Sequence, residues 1–283
     1  MKTASLITIH GMGTTPENYN DEISRDLEHR LGSRFKSLHI GKVYYQELLQ
    51  PNQRRVWNLV GRSVRWDALR QFMLYGFSDA AGLESSRESM HGVYAGAQMR
   101  IARELYLARQ AMAGDGPVVI LAQSLGSQVA SCYFWDAQRA RDNAEVKVGI
   151  WQNIKAFEVP IAGAKSLSPE DLKFLQGSTL RSLFTTGCQI PVFVAAHATK
   201  DILPIKPNSL FEWKNFYDKD DVLGWPLAEL SPDYASVVTD IPVNAGGGIL
   251  GWITQSWNPL SHTQYWRDDE LLDPLETRLK ELL

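Results

Sequence analysis

Residues 117–130, PVVILAQSLGSQVA, pass from five consecutive apolar residues straight into a helical period, with Ser124 at the joint. A short apolar run with no polar alternate face reads as a strand covered on both sides, which is the habit of parallel sheets. A parallel neighbour can be reached only by a long crossover, ordinarily a helix. This one stretch therefore points to an α/β architecture with helices on both faces of a buried sheet.

The rest of the chain carries the same alternation. SLITIHG (5–11) is a β-branched apolar run bounded by glycine and reads as a second buried strand. After it, Thr15 and Pro16 offer an N-cap and a first helical position for Tyr19, Ile23, Leu27 and Leu31, with Gly32 as the stop. FKSLHIGKVYY reads as a strand. Val93, Ala97, Ile101, Leu105, Ala108 and Met112 recur every three or four residues, the face of a long helix on a sheet, closed by Gly114 and Gly116. Between residues 143 and 199, LRSLFTTG and PVFVAAH are apolar enough for strands, and SPEDLKFLQG has a serine cap, a proline and a helical period. LFEWKNFYD reads as a strand entering an acidic loop, NAGGGILG as a loop, and DPLETRLKELL as a terminal amphipathic helix.

Residues 46–82 differ in character. They set Trp57, Trp66, Phe72, Met73, Tyr75 and Phe77 among Arg54, Arg55, Arg62, Arg65 and Arg70 in a helical, amphipathic pattern. Two readings stay open: a surface helix burying its aromatic stripe, or a cap or lid over a cleft.

Composition narrows the function classes. Apolar residues make up 44% of the 283, enough for one real core, so residues 1–283 are read as a single domain. The net charge of −3 leaves no broad basic field, which argues against a nucleic-acid partner. Two cysteines, Cys132 and Cys188, support neither a disulfide framework nor a zinc site, and no other cluster has metal-ligand spacing. HGMGTT lacks the lysine and glycine spacing of a phosphate loop. No cofactor or metal is therefore expected. The opening MKTASLITIHG is too short in its apolar run for a signal peptide, and no stretch reaches the ~18 apolar residues of a membrane span, so a cytoplasmic protein is expected.

Ser124 is the candidate for chemistry. Ala122 and Gly126 stand two residues to either side, and a nucleophile on a sharp strand-to-helix turn needs small neighbours there. The helix that follows presents unpaired amides and a positive dipole end, with Leu125 N–H as the natural oxyanion donor. A hydroxyl alone is a weak nucleophile, so a base and an orienting acid must follow.

HGMG after the first strand, AQSLG, YDKDDVLGWP and SHTQYW together resemble the α/β-hydrolase family, whose chain order is nucleophile, acid, histidine. The four stretches span residues 10–266; the departure is Ala122 where the family most often has glycine. The resemblance implies a three-layer α/β-hydrolase fold with a mostly parallel sheet of about six strands, in which SLITIH corresponds to the strand usually third and the first two are missing. It implies a serine esterase or lipase: Ser124 as nucleophile, His262 as base in preference to His197, and the Met12 and Leu125 amides as oxyanion hole. His10 is expected to hold its loop by hydrogen bonds. Asp221, followed by Val222 and Leu223, fits the acid best, and Asp220 remains an alternative. The substrate implied is a small-molecule carboxylic ester. A lipid, thioester or acyl-transfer substrate would use the same triad, the arginine–tryptophan segment would suit peripheral membrane contact, and a non-catalytic binding protein could retain the fold.

Overall fold

The computed structural model describes residues 1–61, 67–244 and 265–283. In chain order the elements are β1 (Ala4–Ile9), α1 (Asp21–Leu31), β2 (Leu38–Val43), α2 (Gln50–Val60), α3 (Asp67–Ser85), α4 (Val93–Met112), β3 (Val118–Gln123), α5 (Leu125–Arg141), α6 (Glu158–Ala162), α7 (Pro169–Leu175), β4 (Leu180–Thr186), α8 (Ile190–Val194), β5 (Glu212–Asp218), α9 (Pro232–Ala235), β6 (Val238–Val243) and α10 (Asp269–Leu282). The six strands form one sheet in the order β2-β1-β3-β4-β5-β6, and every pairing is parallel.

Alternate residues of the central strands feed two cores. Ile7, Ile9, Val118, Ile120 and Ala122 face α4 and α5, while Ala4, Leu6, Val119 and Leu121 pack with Leu27 of α1 and Leu275 of α10. All six residues of β1 are buried, as a strand covered on both faces requires. These are the three layers expected from the sequence, helices on both faces of a parallel sheet of six strands.

Several local readings need correction. α1 starts at Asp21 rather than Pro16, because residues 16–19 close a turn and the Tyr19 hydroxyl lies 2.8 Å from the Thr8 carbonyl and 3.0 Å from that of Val43. PVFVAAH is not a strand: residues 190–194 form the short helix α8, with Pro191 in its first turn, where a fixed φ and a missing N–H cost nothing. The terminal helix begins at Asp269, four residues before Asp273, because the Asp268 side chain caps it by accepting from the Glu270 amide, and it carries Pro274 inside. β6 has no counterpart in the reading of the sequence. It is an edge strand, VTDIPV, whose polar residues and Pro242 suit an edge and hide its nature. Most of NAGGGILG lies outside the described residues.

Within residues 46–82 the described parts are mainly helical, as α2 and most of α3, while Arg62, Arg65 and Trp66 lie outside the described residues. α2 turns Gln53 inward, and α3 buries Tyr75, Asp79 and Leu83. Val56, Leu59, Val60 and Phe77 are left exposed, with Arg54 and Arg55 also on the surface.

Candidate active site

β3 ends at Gln123 and α5 starts at Leu125, so Ser124 alone turns the chain, at φ 53° and ψ −125°. A residue with a Cβ is strained there, and the surroundings over-determine it. The Ser124 amide donates to the Thr186 carbonyl at 2.8 Å, and its own carbonyl accepts from the Ser127 amide at 2.9 Å. Helix and strand approach closely at the joint: a Cβ on Gly126 would stand 2.8 Å from the Ile9 carbonyl oxygen and closer still to that of His10. Only glycine fits. Ser124 is 1% exposed, and its Oγ has no hydrogen-bond partner among the described residues.

The HGMG loop lies against this serine. A Cβ on Gly11 would stand 2.8 Å from Ser124 Cβ and 3.4 Å from its Oγ. His10 holds the loop as expected. The Tyr45 amide donates to His10 Nε2 at 3.1 Å, so Nε2 is the acceptor and Nδ1 carries the proton that goes to the Gly11 carbonyl at 2.7 Å. The Tyr45 ring stacks on the imidazole at 4.1 Å, and burial pushes the His10 pKa down to about 4, so the ring stays neutral at pH 7. Among the described residues, neither the Met12 nor the Leu125 amide donates to a backbone carbonyl.

The acid loop distinguishes its aspartates. Asp220 is exposed to solvent, whereas Asp221 is 6% exposed, accepts from the Leu223 amide at 3.0 Å on Oδ1 and from the Tyr265 hydroxyl at 2.8 Å on Oδ2. The Tyr265 hydroxyl in turn accepts from the Asp218 amide at 2.9 Å. Burial and the neighbouring Asp221 push the Tyr265 phenol well up, keeping it a neutral donor. The pair leaves room only for Gly224, where a Cβ would meet Asp221 Oδ2 at 2.8 Å and the Tyr265 hydroxyl at 3.0 Å.

His262 lies outside the described residues; His197 is exposed just beyond α8. Of SHTQYW, the structure describes Tyr265 and Trp266. Trp266 Nε1 donates to Thr186 Oγ1 at 3.3 Å, and the Thr186 carbonyl is the one that holds the Ser124 amide. Tyr265 and Trp266 are thus bonded, respectively, to Asp221 and to the residue whose carbonyl holds the Ser124 amide. Tyr265 and Thr186 have no role in the sequence pattern; the aromatic pair three and four residues after His262 is the available signal.

Among the described residues there is no group of histidine, cysteine or carboxylate side chains that could hold a metal, and no helix long and apolar enough to cross a membrane. Cys188 is buried, its thiol pushed up to about 12 by desolvation, so it is a packing residue rather than a rival nucleophile.

No protein-family model matches the chain, and no curated protein does. Among solved structures it is similar to a candidate hydrolase of the alpha/beta superfamily from Xanthomonas campestris pv. campestris, at 12% identity over 93% of this chain and 98% of that one, with a TM-score of 0.38. It is also similar to an inhibited esterase B from Lactobacillus rhamnosis, at 12% identity over 99% of this chain and 78% of that one, with a TM-score of 0.45.

Proposed function

We propose that the protein is a serine hydrolase that cleaves carboxylic esters through an acyl-enzyme on Ser124. The observation that carries this reading is a buried Ser124 hydroxyl with no partner among the described residues, on a strained strand–helix joint that lies against the HGMG loop. A buried hydroxyl with no partner costs about 1–3 kcal/mol, and Ser124 joins that cost to a strained backbone and a place against the HGMG loop.

In the proposed mechanism His262 takes the Ser124 proton as the oxygen attacks the ester carbonyl. Asp221 is the orienting acid; its burial and its bond to Tyr265, three residues beyond His262 in the chain, support it over the exposed Asp220. The carbonyl oxygen becomes an oxyanion facing the Met12 and Leu125 amides, a contribution of about 3–4 kcal/mol to the rate per donor. The tetrahedral intermediate collapses, His262 protonates the departing alkoxide, and water repeats the sequence on the acyl-enzyme to release acid and free serine.

A lipid substrate is the second reading, favoured by the exposed Val56, Leu59, Val60 and Phe77 beside surface arginines. Labelling with a fluorophosphonate and turnover of nitrophenyl esters of graded chain length test both. Covalent labelling at Ser124, abolished in Ser124→Ala, is expected. Folded protein that neither labels nor turns over would leave a non-catalytic binding protein on this fold. A preference for short acyl chains that persists above the aggregation threshold of long ones would set the lipid reading aside.

A further inference from the structure

Asp79, in the middle of α3, is fully buried, and among the described residues no cation pairs with it. An ionisable carboxyl in such a place is costly, and burial pushes its pKa up to about 6. It is not a helix cap, for α3 begins at Asp67, three turns earlier. Its partners lie in other elements. Oδ2 accepts from the Gly13 amide at 2.9 Å, and Oδ1 accepts from the side-chain amide of Gln53 on α2. Gln53 is itself set by α3, its Nε2 reaching Ser78 Oγ at 2.9 Å and the Tyr75 carbonyl at 3.3 Å.

One turn before Asp79, Gly76 gives way to Met12: a Cβ at Gly76 would collide with the Met12 sulfur. α3 therefore holds the oxyanion loop twice, by the Met12 side chain and by the Gly13 amide. Gly13 sits at φ 87°, open to glycine alone at low cost, so without an external acceptor this peptide has little to keep its orientation. On the other side, Gly11 is wedged against Ser124. The Met12 amide lies between these two fixed neighbours.

We infer that Asp79 is a positioning residue: through the Gly13 amide it fixes the direction of the Met12 amide toward the developing oxyanion, making α2 and α3 a structural wall of the catalytic centre. This rests on the serine-hydrolase reading above. It also explains why a costly carboxylate is kept where a hydrophobic side chain would pack, because an oxyanion donor must be rigid before the reaction begins.

The test compares Asp79→Ala, which removes the acceptor, with Asp79→Asn, which retains one for the Gly13 amide. With p-nitrophenyl acetate, kcat of Asp79→Ala should fall about 10- to 100-fold, less than the full loss of a donor, with KM nearly unchanged. The rate of fluorophosphonate labelling at Ser124 should fall in parallel. Asp79→Asn should recover at least tenfold of that loss. Near-ultraviolet circular dichroism establishes that each variant is folded. Gln53→Leu, which keeps the Asp79 carboxylate but removes its tether, should give a smaller loss of the same kind, and it carries the test should Asp79→Ala fail to fold. Folded variants that label and turn over at the wild-type rate would overturn the inference, as would a loss confined to KM. A wild-type protein that does not label at all would instead overturn the hydrolase reading.

Discussion

Replacing Ser124 by glycine should make the protein inert and more stable at the same time. Ser124 sits at φ 53° and ψ −125°, where a residue bearing a Cβ is strained by about 1–3 kcal/mol. Its Oγ is buried with no partner among the described residues, which costs about 1–3 kcal/mol more. Glycine removes both and gives back about 0.5–1 kcal/mol through the larger entropy of its unfolded chain. The net gain is about 1–5 kcal/mol, and each kcal/mol raises Tm by about 2–4 °C in a protein approaching this size. Ser124→Ala separates the two contributions, since it removes the hydroxyl and keeps the strain. Calorimetry at one pH and scan rate should rank Tm as glycine above alanine above wild type, with ester turnover lost in both variants. Glycine no more stable than alanine would refute the strain argument. Alanine no more stable than wild type would refute the unpartnered hydroxyl, and surviving turnover would move the chemistry away from Ser124.

Gly126→Ala forces a methyl against the His10 and Ile9 carbonyls; it should destabilise the protein by about 1–3 kcal/mol in urea titration and slow Ser124 labelling. Asp221→Asn should lower kcat by about 10³- to 10⁴-fold while the exposed Asp220→Asn changes it little, and equal effects in a steady-state ester assay would sink the assignment. Tyr265→Phe leaves the Asp218 amide without its hydroxyl acceptor and takes a donor from Asp221, so a loss of about 1–3 kcal/mol with reduced kcat is expected, and a fully active, equally stable variant would count against the network. Burial raises the Asp79 carboxyl from 3.8 to about 6, so the folded chain holds this proton more tightly than the unfolded one. Its contribution to stability is fully present below about pH 4 and is lost as pH rises through 6, a change of about 3 kcal/mol. Asp79→Asn, which does not ionise, should therefore gain on the wild type between pH 4 and 7.5; a constant difference over that window would refute the shift.

What the sequence made legible follows from local physics. The elbow could be read because close approach of β1 and α5 demands glycine at 126, and a steric demand of that kind leaves its mark at a fixed offset from the serine. β1 and β3 could be read because both faces are buried and the runs are mainly apolar. β6 could not, since an edge strand with exposed Thr239 and Pro242 has no apolar period. Residues 190–194 are too few for a period to separate strand from helix. Asp79 and Tyr265 reach partners 66 and 44 residues away, and contacts of that separation impose no local pattern. Within 46–82 the amphipathic helices were legible, but not that one of them would grip the HGMG loop.

Thr186 has two grips with different susceptibility to change. Its carbonyl, which restrains the Ser124 amide, survives every substitution at that position other than one that breaks β4; its hydroxyl, which receives Trp266, vanishes with a single methyl-for-hydroxyl exchange. Thr186→Val is therefore a dial on one segment alone. It releases the Trp266 indole while the Ser124 amide keeps its acceptor, so the segment around Trp266 can be altered without dismantling the strand–helix joint.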